Sequence, residues 1–210
     1  MHRAPDGPRF LRMKAGDWAD MAPAEKHEVW SALGEMQGTR CAYCDRGLDE
    51  KKRHIEHFRE RRQFPELTFT WSNLFGSCDD EHSCGKKKGR ARQGDVDYAR
   101  LLKPNDVDPG EYLIVSSTGR IEPRDELDDA ERERARLTIE VFGLNHPGLV
   151  WQRSQIIEGV TAYLSDLASL LKEDGDLETA RQLLREDLRP LQEDPLGWVV
   201  EQRTRGLGLV

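Results

Sequence analysis

The sequence predicts an α+β fold: a small metal-stapled module followed by a mainly helical C-terminal half. Three observations carry that reading. The four cysteines fall in two close pairs, Cys41/Cys44 and Cys78/Cys84. Between the pairs, Lys52 to Phe58 reads as a short strand. Beyond Asp128, apolar residues recur at helical spacing.

The elements follow in order. The segment up to about Pro23 is rich in Gly and Pro, and Phe10, Leu11 and Trp18 are expected to tuck onto the body. Ala24 to Met36 reads as a helix with Val29, Trp30, Leu33 and Met36 on one face; Gly34 weakens it and Gly38 stops it. The metal module runs from Arg40 to about Gly89. In it, Cys41 to Arg46 forms a knuckle turn and Leu67 to Leu74 leads toward the second cysteine pair. After a turn-rich Asp106 to Pro109, Tyr112–Val115 and Gly119–Pro123 read as strands joined by a Ser-Ser-Thr-Gly turn. Helices are expected over Asp128–Phe142, stopped at Gly143 and Asn145, over Leu149–Leu171, and over Asp176–Leu188, ended by Pro190. The stripe on the second of these is Val150, Ile157, Val160, Leu164, Leu167 and Leu171. This divides the chain into an N-terminal helical segment (1–39), the stapled module (40–103) and a helical region suited to partner docking (104–210), with one continuous domain as the alternative.

At 210 residues, 37% hydrophobic and 34% charged, the chain can bury a real core. No stretch is apolar for long enough to cross a bilayer, and Met1 to Asp6 lacks the apolar core of a secretory signal, so a cytoplasmic location is expected. In a reducing cytosol, paired cysteines favour metal over disulfides. The net charge of −7 argues against nucleic acid only until its distribution is seen. Lys51, Lys52, Arg53, Arg59, Arg61 and Arg62, then Lys86, Lys87, Lys88, Arg90 and Arg92, flank the module. Acidic residues gather in Asp125–Glu133 and Glu173–Glu193, better suited to a protein partner. The basic runs form either a phosphate-facing surface or ordinary solvated faces, and their position around the module favours the former.

The chemistry sits in the module. Cys41, Cys44, Cys78 and Cys84 have the spacing to converge on one tetrahedral Zn2+. His57 can take a proton from an attacking water near neutral pH, as phosphodiester hydrolysis requires. Glu56 is either an oxygen ligand for a hard cation such as Mg2+ or Mn2+, or an ion-pair partner of Arg53 or Arg59. His54 is a second ligand, an orienter, or merely exposed. In a regular strand His54 and Glu56 share a face that His57 does not, so a bend is expected there. Asn73 either ligates through its amide or fixes the loop carrying the base. Lys86, Lys87 and Lys88 offer compact charges to phosphates, as do Arg59, Arg61 and Arg62.

Taken together, Cys41-x2-Cys44, Ile55-Glu56-His57-Phe58-Arg59, Leu67, Trp71-x-Asn73-Leu74, Ser77-Cys78, Cys84 and Lys87-Lys88-Gly89 resemble the HNH endonucleases. Within them the chain is similar to the PtuB-type nucleases of Septu antiphage systems, also found with some retrons. The likeness continues through Lys103-Pro104, Asp108-Pro109-x-Glu111-Tyr112-Leu113, Gly119-Arg120-Ile121 and Ala135-x-x-Thr138-Ile139 into Leu144-Asn145. The resemblance implies a ββα-metal core stapled by zinc, with His57 as general base, Glu56 as metal ligand and Asn73 as the central Asn. It also implies a PtuA-type ATPase partner, related to ABC and SMC ATPases, and a DNA or RNA substrate. Two positions depart from the pattern. Glu56 stands where many relatives have Asp, and Gly85 follows the last cysteine where many have His or Asn, leaving His82 or a water to complete the catalytic cation's shell. The competing reading is a non-catalytic, zinc-stabilised adaptor subunit of a nucleic-acid-associated complex. A thioredoxin-like role for Cys41/Cys44 lacks the surrounding βαβ pattern.

Overall fold

The first helix, α1 (Pro23–Gln37), begins at a proline whose missing N–H is no loss in the first turn. Glu25 closes that turn, accepting the Ala22 N–H and pairing with Lys14 at 2.7 Å. Of the expected face Val29, Leu33 and Met36 are buried, Trp30 is only half-buried with Arg53 over its ring, and Gly38 ends the helix as the spacing predicted. The computed structural model describes residues 7–92, 94–174, 182–183, 186–187 and 195–204. Most of the helix expected over Asp176–Leu188, and of the acidic run Glu173–Glu193, lies outside the described residues.

Strand β1 (Arg53–His57) pairs antiparallel with β2 (Leu74–Cys78), His54 opposite Ser77 and His57 opposite Leu74. All five residues of β2 are buried, which explains why Leu74-Phe75-Gly76-Ser77-Cys78 shows no polar–apolar alternation. The outer edge of β2 is sealed by a side chain. Gln37 accepts the Gly76 N–H and donates to the Gly76 carbonyl, both at 2.9 Å, while Ala42 N–H donates to the same carbonyl. Between the strands, two 3-10 turns (Pro65–Leu67 and Trp71–Asn73) carry the chain back.

Helix α2 (Cys84–Lys88) follows β2 and packs on it. Beyond it come a short turn of helix, α3 (Pro109–Tyr112), and the hairpin β3 (Leu113–Val115) with β4 (Ile121–Pro123), the two strands expected there. The Asn145 amide brackets Ile121 with two bonds of 2.8 Å. Gly119 adopts φ 82° at the hairpin turn, where a Cβ would lie 2.4 Å from the Val150 carbonyl.

Helix α4 (Asp129–Val141) starts at an Asp128/Glu131 capping box. Helix α5 (Pro147–Asp174) buries Leu149, Arg153, Ile157, Val160 and Leu167. Helix α6 (Gly197–Thr204) lies against α5, with Val160, Leu167 and Val200 as a satellite cluster. The main core is continuous from Leu11 through the module to Val199. Helices and two small sheets give the α+β composition expected. Among the described residues, no helix is long and apolar enough to cross a membrane.

Candidate functional site

The cysteines meet as their spacing predicts. Cys41 and Cys44 lie on the knuckle closed by the Arg40–Gly47 bridge; Cys78 ends β2 and Cys84 opens α2. All four are buried, and their sulfurs lie within 4.8 Å of one another. A tetrahedral zinc with Zn–S bonds of about 2.3 Å sets its sulfurs about 3.8 Å apart, and Cys44 and Cys78 stand at 4.0 Å. The donor set fits a structural ion such as zinc. Donors to the sulfurs come from the Cys78 N–H, 3.5 Å from Cys41 Sγ, and from Arg46, 3.3 Å from Cys78 Sγ. Cys84 sits at φ 53°, a conformation rare for a side-chain-bearing residue, and its N–H donates to the Phe142 carbonyl at 2.6 Å. Phe142 in turn stacks on Tyr43 of the knuckle at 4.2 Å, so the end of α4 clamps the staple.

Beside the cysteine cluster lies a cleft of about 570 Å³ lined by His54, Glu56, His57, Glu60, Arg61, Arg62 and Thr68, together with Gly16, Asp17 and Trp18. The bend expected at Glu56–His57 is absent: β1 is regular from Arg53 to His57, and the cleft takes in residues of both strand faces, His54, Glu56 and His57 among them. His57 is buried, and its Nε2 lies 2.9 Å from the Thr68 carbonyl. A carbonyl only accepts, so Nε2 carries the proton and Nδ1 keeps its lone pair. Trp18 meets the ring edge-on at 4.5 Å, a contact the sequence reading missed. Burial pushes His57 down to about 4, against the Thr68 hydrogen bond, and nearby Arg61 adds to the effect. The ring is neutral at physiological pH.

Glu56 is held on both oxygens. Oε1 accepts from Lys88 Nζ at 2.5 Å, and Oε2 lies 3.0 Å from His54 Nε2. Burial alone would raise its pKa, but the Lys88 charge and the His54 hydrogen bond bring the carboxyl below its usual range. His54 lies between two carboxylates, its Nδ1 3.4 Å from Asp79. Gly85 leaves room for Glu56: a Cβ there would lie 2.5 Å from Glu56 Oε2, so any side chain at 85 would have to push the glutamate aside.

Other expected site residues lie elsewhere. The Asn73 amide is spent on the loop, accepting Arg59 N–H at 2.8 Å and donating to the carbonyls of Arg59 and Leu67. Of its two readings this is loop-fixing. His82 is exposed, stacked on His146 at 5.3 Å, and is not among the residues lining the cleft. Lys88 departs from the phosphate-contact expectation: its side chain is fully buried, because its ammonium is enclosed by Glu56 and by the carbonyls of His57 and Phe58 at 2.6 and 2.9 Å. Lys86 pairs with Asp79 at 2.9 Å, Lys87 donates to the Glu140 carbonyl, and Arg59 lies over the Phe64 ring. Arg61 and Arg62 are the exposed basic residues in the cleft, Arg61 lying 3.6 Å from the Asp17 carboxylate.

A cysteine cluster that fits a structural metal, beside a cleft carrying His54, a neutral His57, the carboxylates Asp17, Glu56 and Glu60, and Arg61 and Arg62, defines a class: an α+β protein with a candidate metal site next to a polar, mixed-charge cleft. No family model matches the chain. Curated relatives do. A "Retron Vc95 putative HNH endonuclease" from Vibrio cholerae serotype O1 biovar El Tor is 29% identical over 140 residues, 63% of this chain and 65% of the relative. A "Septu protein PtuB" from Bacillus thuringiensis is 40% identical over 60 residues, covering 28% of this chain and 22% of its own. Another, from Bacillus mycoides (strain KBAB4), is 26% identical over 184 residues, 71% of this chain and 61% of its own. The likeness to HNH and PtuB-type proteins is therefore shown, at modest identity, while the chain spans less than two thirds of each of these relatives.

Proposed function

We propose that the chain is a metal-dependent HNH endonuclease that hydrolyses phosphodiester bonds in nucleic acid and acts in antiphage defence. The observation that carries this is that Glu56 and His57, the latter a neutral base of fixed tautomer, line one cleft together with Arg61 and Arg62. The chain order β1, β2, α2 around them supports a ββα core.

In this reading Arg61 and Arg62 hold the substrate phosphates as exposed charges. His57 Nδ1 accepts the proton of the attacking water, while the Thr68 carbonyl keeps the ring oriented. The anionic phosphodiester raises the basicity of His57 as it arrives, toward the working range. Asn73 holds the loop that carries Arg59 to Arg62. Glu56 and His54 would hold a Mg2+ or Mn2+ ion by giving up their mutual contact at 3.0 Å, with Lys88 kept on the other carboxylate oxygen, and the ion would supply charge stabilisation for the reaction. The names of the relatives, and the resemblance to PtuB-type chains, support a PtuA-type ATPase of the ABC/SMC class as partner.

The test is cleavage of plasmid DNA and total tRNA with Mg2+ or Mn2+, wild type beside His57→Ala, with and without the ATPase. Cutting lost in the variant, with its metal staple and melting temperature kept, supports the nuclease. No cutting by wild type under any condition favours the adaptor reading, for which the double engagement of Glu56 speaks.

A further inference from the structure

A fully buried lysine is rare because desolvating an ammonium costs several kcal/mol unless every proton finds an oxygen. In Lys88 each does: Glu56 Oε1 at 2.5 Å, the His57 carbonyl at 2.6 Å and the Phe58 carbonyl at 2.9 Å. An apolar side chain would fill the same space without that cost, so packing alone does not account for the charge. The three oxygens also share a purpose: one belongs to the carboxylate beside the base, one to the base itself, one to the residue that opens the following loop. Lys88 lies one turn after Cys84 on α2, so its two ends join the cysteine cluster to the cleft. Gly85, between them, backs the same carboxylate. Lys86 and Lys87, on the same helix, spend their charges on Asp79 and on the Glu140 carbonyl and do not substitute for it.

We propose that Lys88 is a positioning residue, a latch whose ammonium fixes the Glu56 carboxylate and the His57–Phe58 main chain to helix α2 and so sets the geometry of base and carboxylate together. The inference rests on the reading of His57 and Glu56 as the reacting pair. Its consequence is a specific kinetic signature. A phosphate-contacting lysine acts on substrate binding and on its salt dependence. A latch acts on turnover, because a misplacement of about 1 Å at the reacting groups lowers the rate by about 100-fold.

The experiment compares wild type, Lys88→Met, Lys88→Arg and Lys86→Met in the full chain loaded with zinc. Cleavage kinetics are read together with the NMR signal of the His57 ring Cε1–H, identified by its loss in His57→Gln. Lys88→Met is expected to keep its zinc and its KM within about twofold, to lose about 100-fold in kcat, and to show a shifted, broadened His57 signal. Lys88→Arg fails to restore either, since a planar guanidinium does not fit a cage built for three converging donors. Lys86→Met leaves the His57 signal unchanged. A raised KM and shallower salt dependence with unchanged kcat in Lys88→Met would overturn the latch and reinstate a phosphate contact. An unchanged His57 signal would overturn it as well. If Lys88→Met does not fold, Lys88→Met/Glu56→Gln removes both buried charges, and its His57 signal decides the matter in the same way. Should wild type cut nothing, the nuclease reading fails while the ring signal still tests the latch.

Discussion

His57 shows how far burial can reset a side chain. Its folded pKa of about 4 lies below the ordinary 6.5, so between those values the unfolded chain binds more protons than the folded one. Stability therefore falls as pH drops through that window, by about 3 kcal/mol in all, and none of it is lost above pH 6.5. Urea unfolding of wild type and His57→Gln from pH 7 to pH 4 measures the difference; parallel pH dependences would show that His57 is not buried neutral. Gly85 makes a second residue-scale prediction. Gly85→Ala forces a methyl into the Glu56 carboxylate, and overpacking of this kind costs about 1–3 kcal/mol; the same titration should show that loss, together with reduced cleavage. The motif pointed to Glu56 and His57 of the cleft lining, but not to Glu60, Thr68 or Trp18, nor to any of their partners. Lys88 looks in sequence like one more member of a solvated run, because nothing local reveals that Glu56 and two carbonyls wait for it across the fold.

At the scale of elements, periodicity did well where one face is buried and the other wet. Helix α1 and its glycine stop, α4, α5 and the β3–β4 hairpin were legible in this way, whereas β1 was read from its place between the cysteine pairs and has no alternating burial. Strand β2 was not, since a strand buried on both sides carries no period-two signal and its glycine reads as a break. The stripe read on α5 was partly displaced. Val150 is only half-buried, while Leu149 and the charged Arg153 face inward, because Arg153 donates to the Gly119 and Leu144 carbonyls at 2.6 Å. Helix α4 offers a clean test of local reasoning. Asp128→Ala removes the side-chain oxygen that accepts the Glu131 N–H at 2.8 Å and should cost about 1 kcal/mol, seen as a lower urea midpoint with unchanged slope.

For the molecule as a whole, the cysteine cluster is the hub. Knuckle, β2 and α2 supply its sulfurs, α4 clamps it through Phe142, and the core runs through it without interruption. Loss of the ion should therefore loosen the cleft as well as the knuckle. Cys44→Ser, or chelation of wild type, is expected to lower the melting temperature by more than 10 °C, since a structural metal's binding energy is folding energy, and to abolish any cleavage even with Mg2+ in excess. A chelated chain that melts normally would show that the cluster is not a metal staple. Sequence spacing revealed the cluster itself; its reach into the distant α4 depends on contacts between residues far apart in the chain, which no local pattern encodes.

The amide of Gln37 does something quieter for the folded chain in a crowded solution. By bonding both main-chain groups of Gly76, with the Ala42 N–H sharing the carbonyl, it helps to occupy the edge on which a third strand would otherwise pair. Gln37→Ala would unmask that edge and also leave room above Gly76. Light scattering of the variant at rising concentration should then reveal self-association that wild type resists, and a variant that stays monodisperse would mean that other neighbours guard the edge without it. Self-association in the variant would give this one side chain a part in colloidal behaviour as well as in folding.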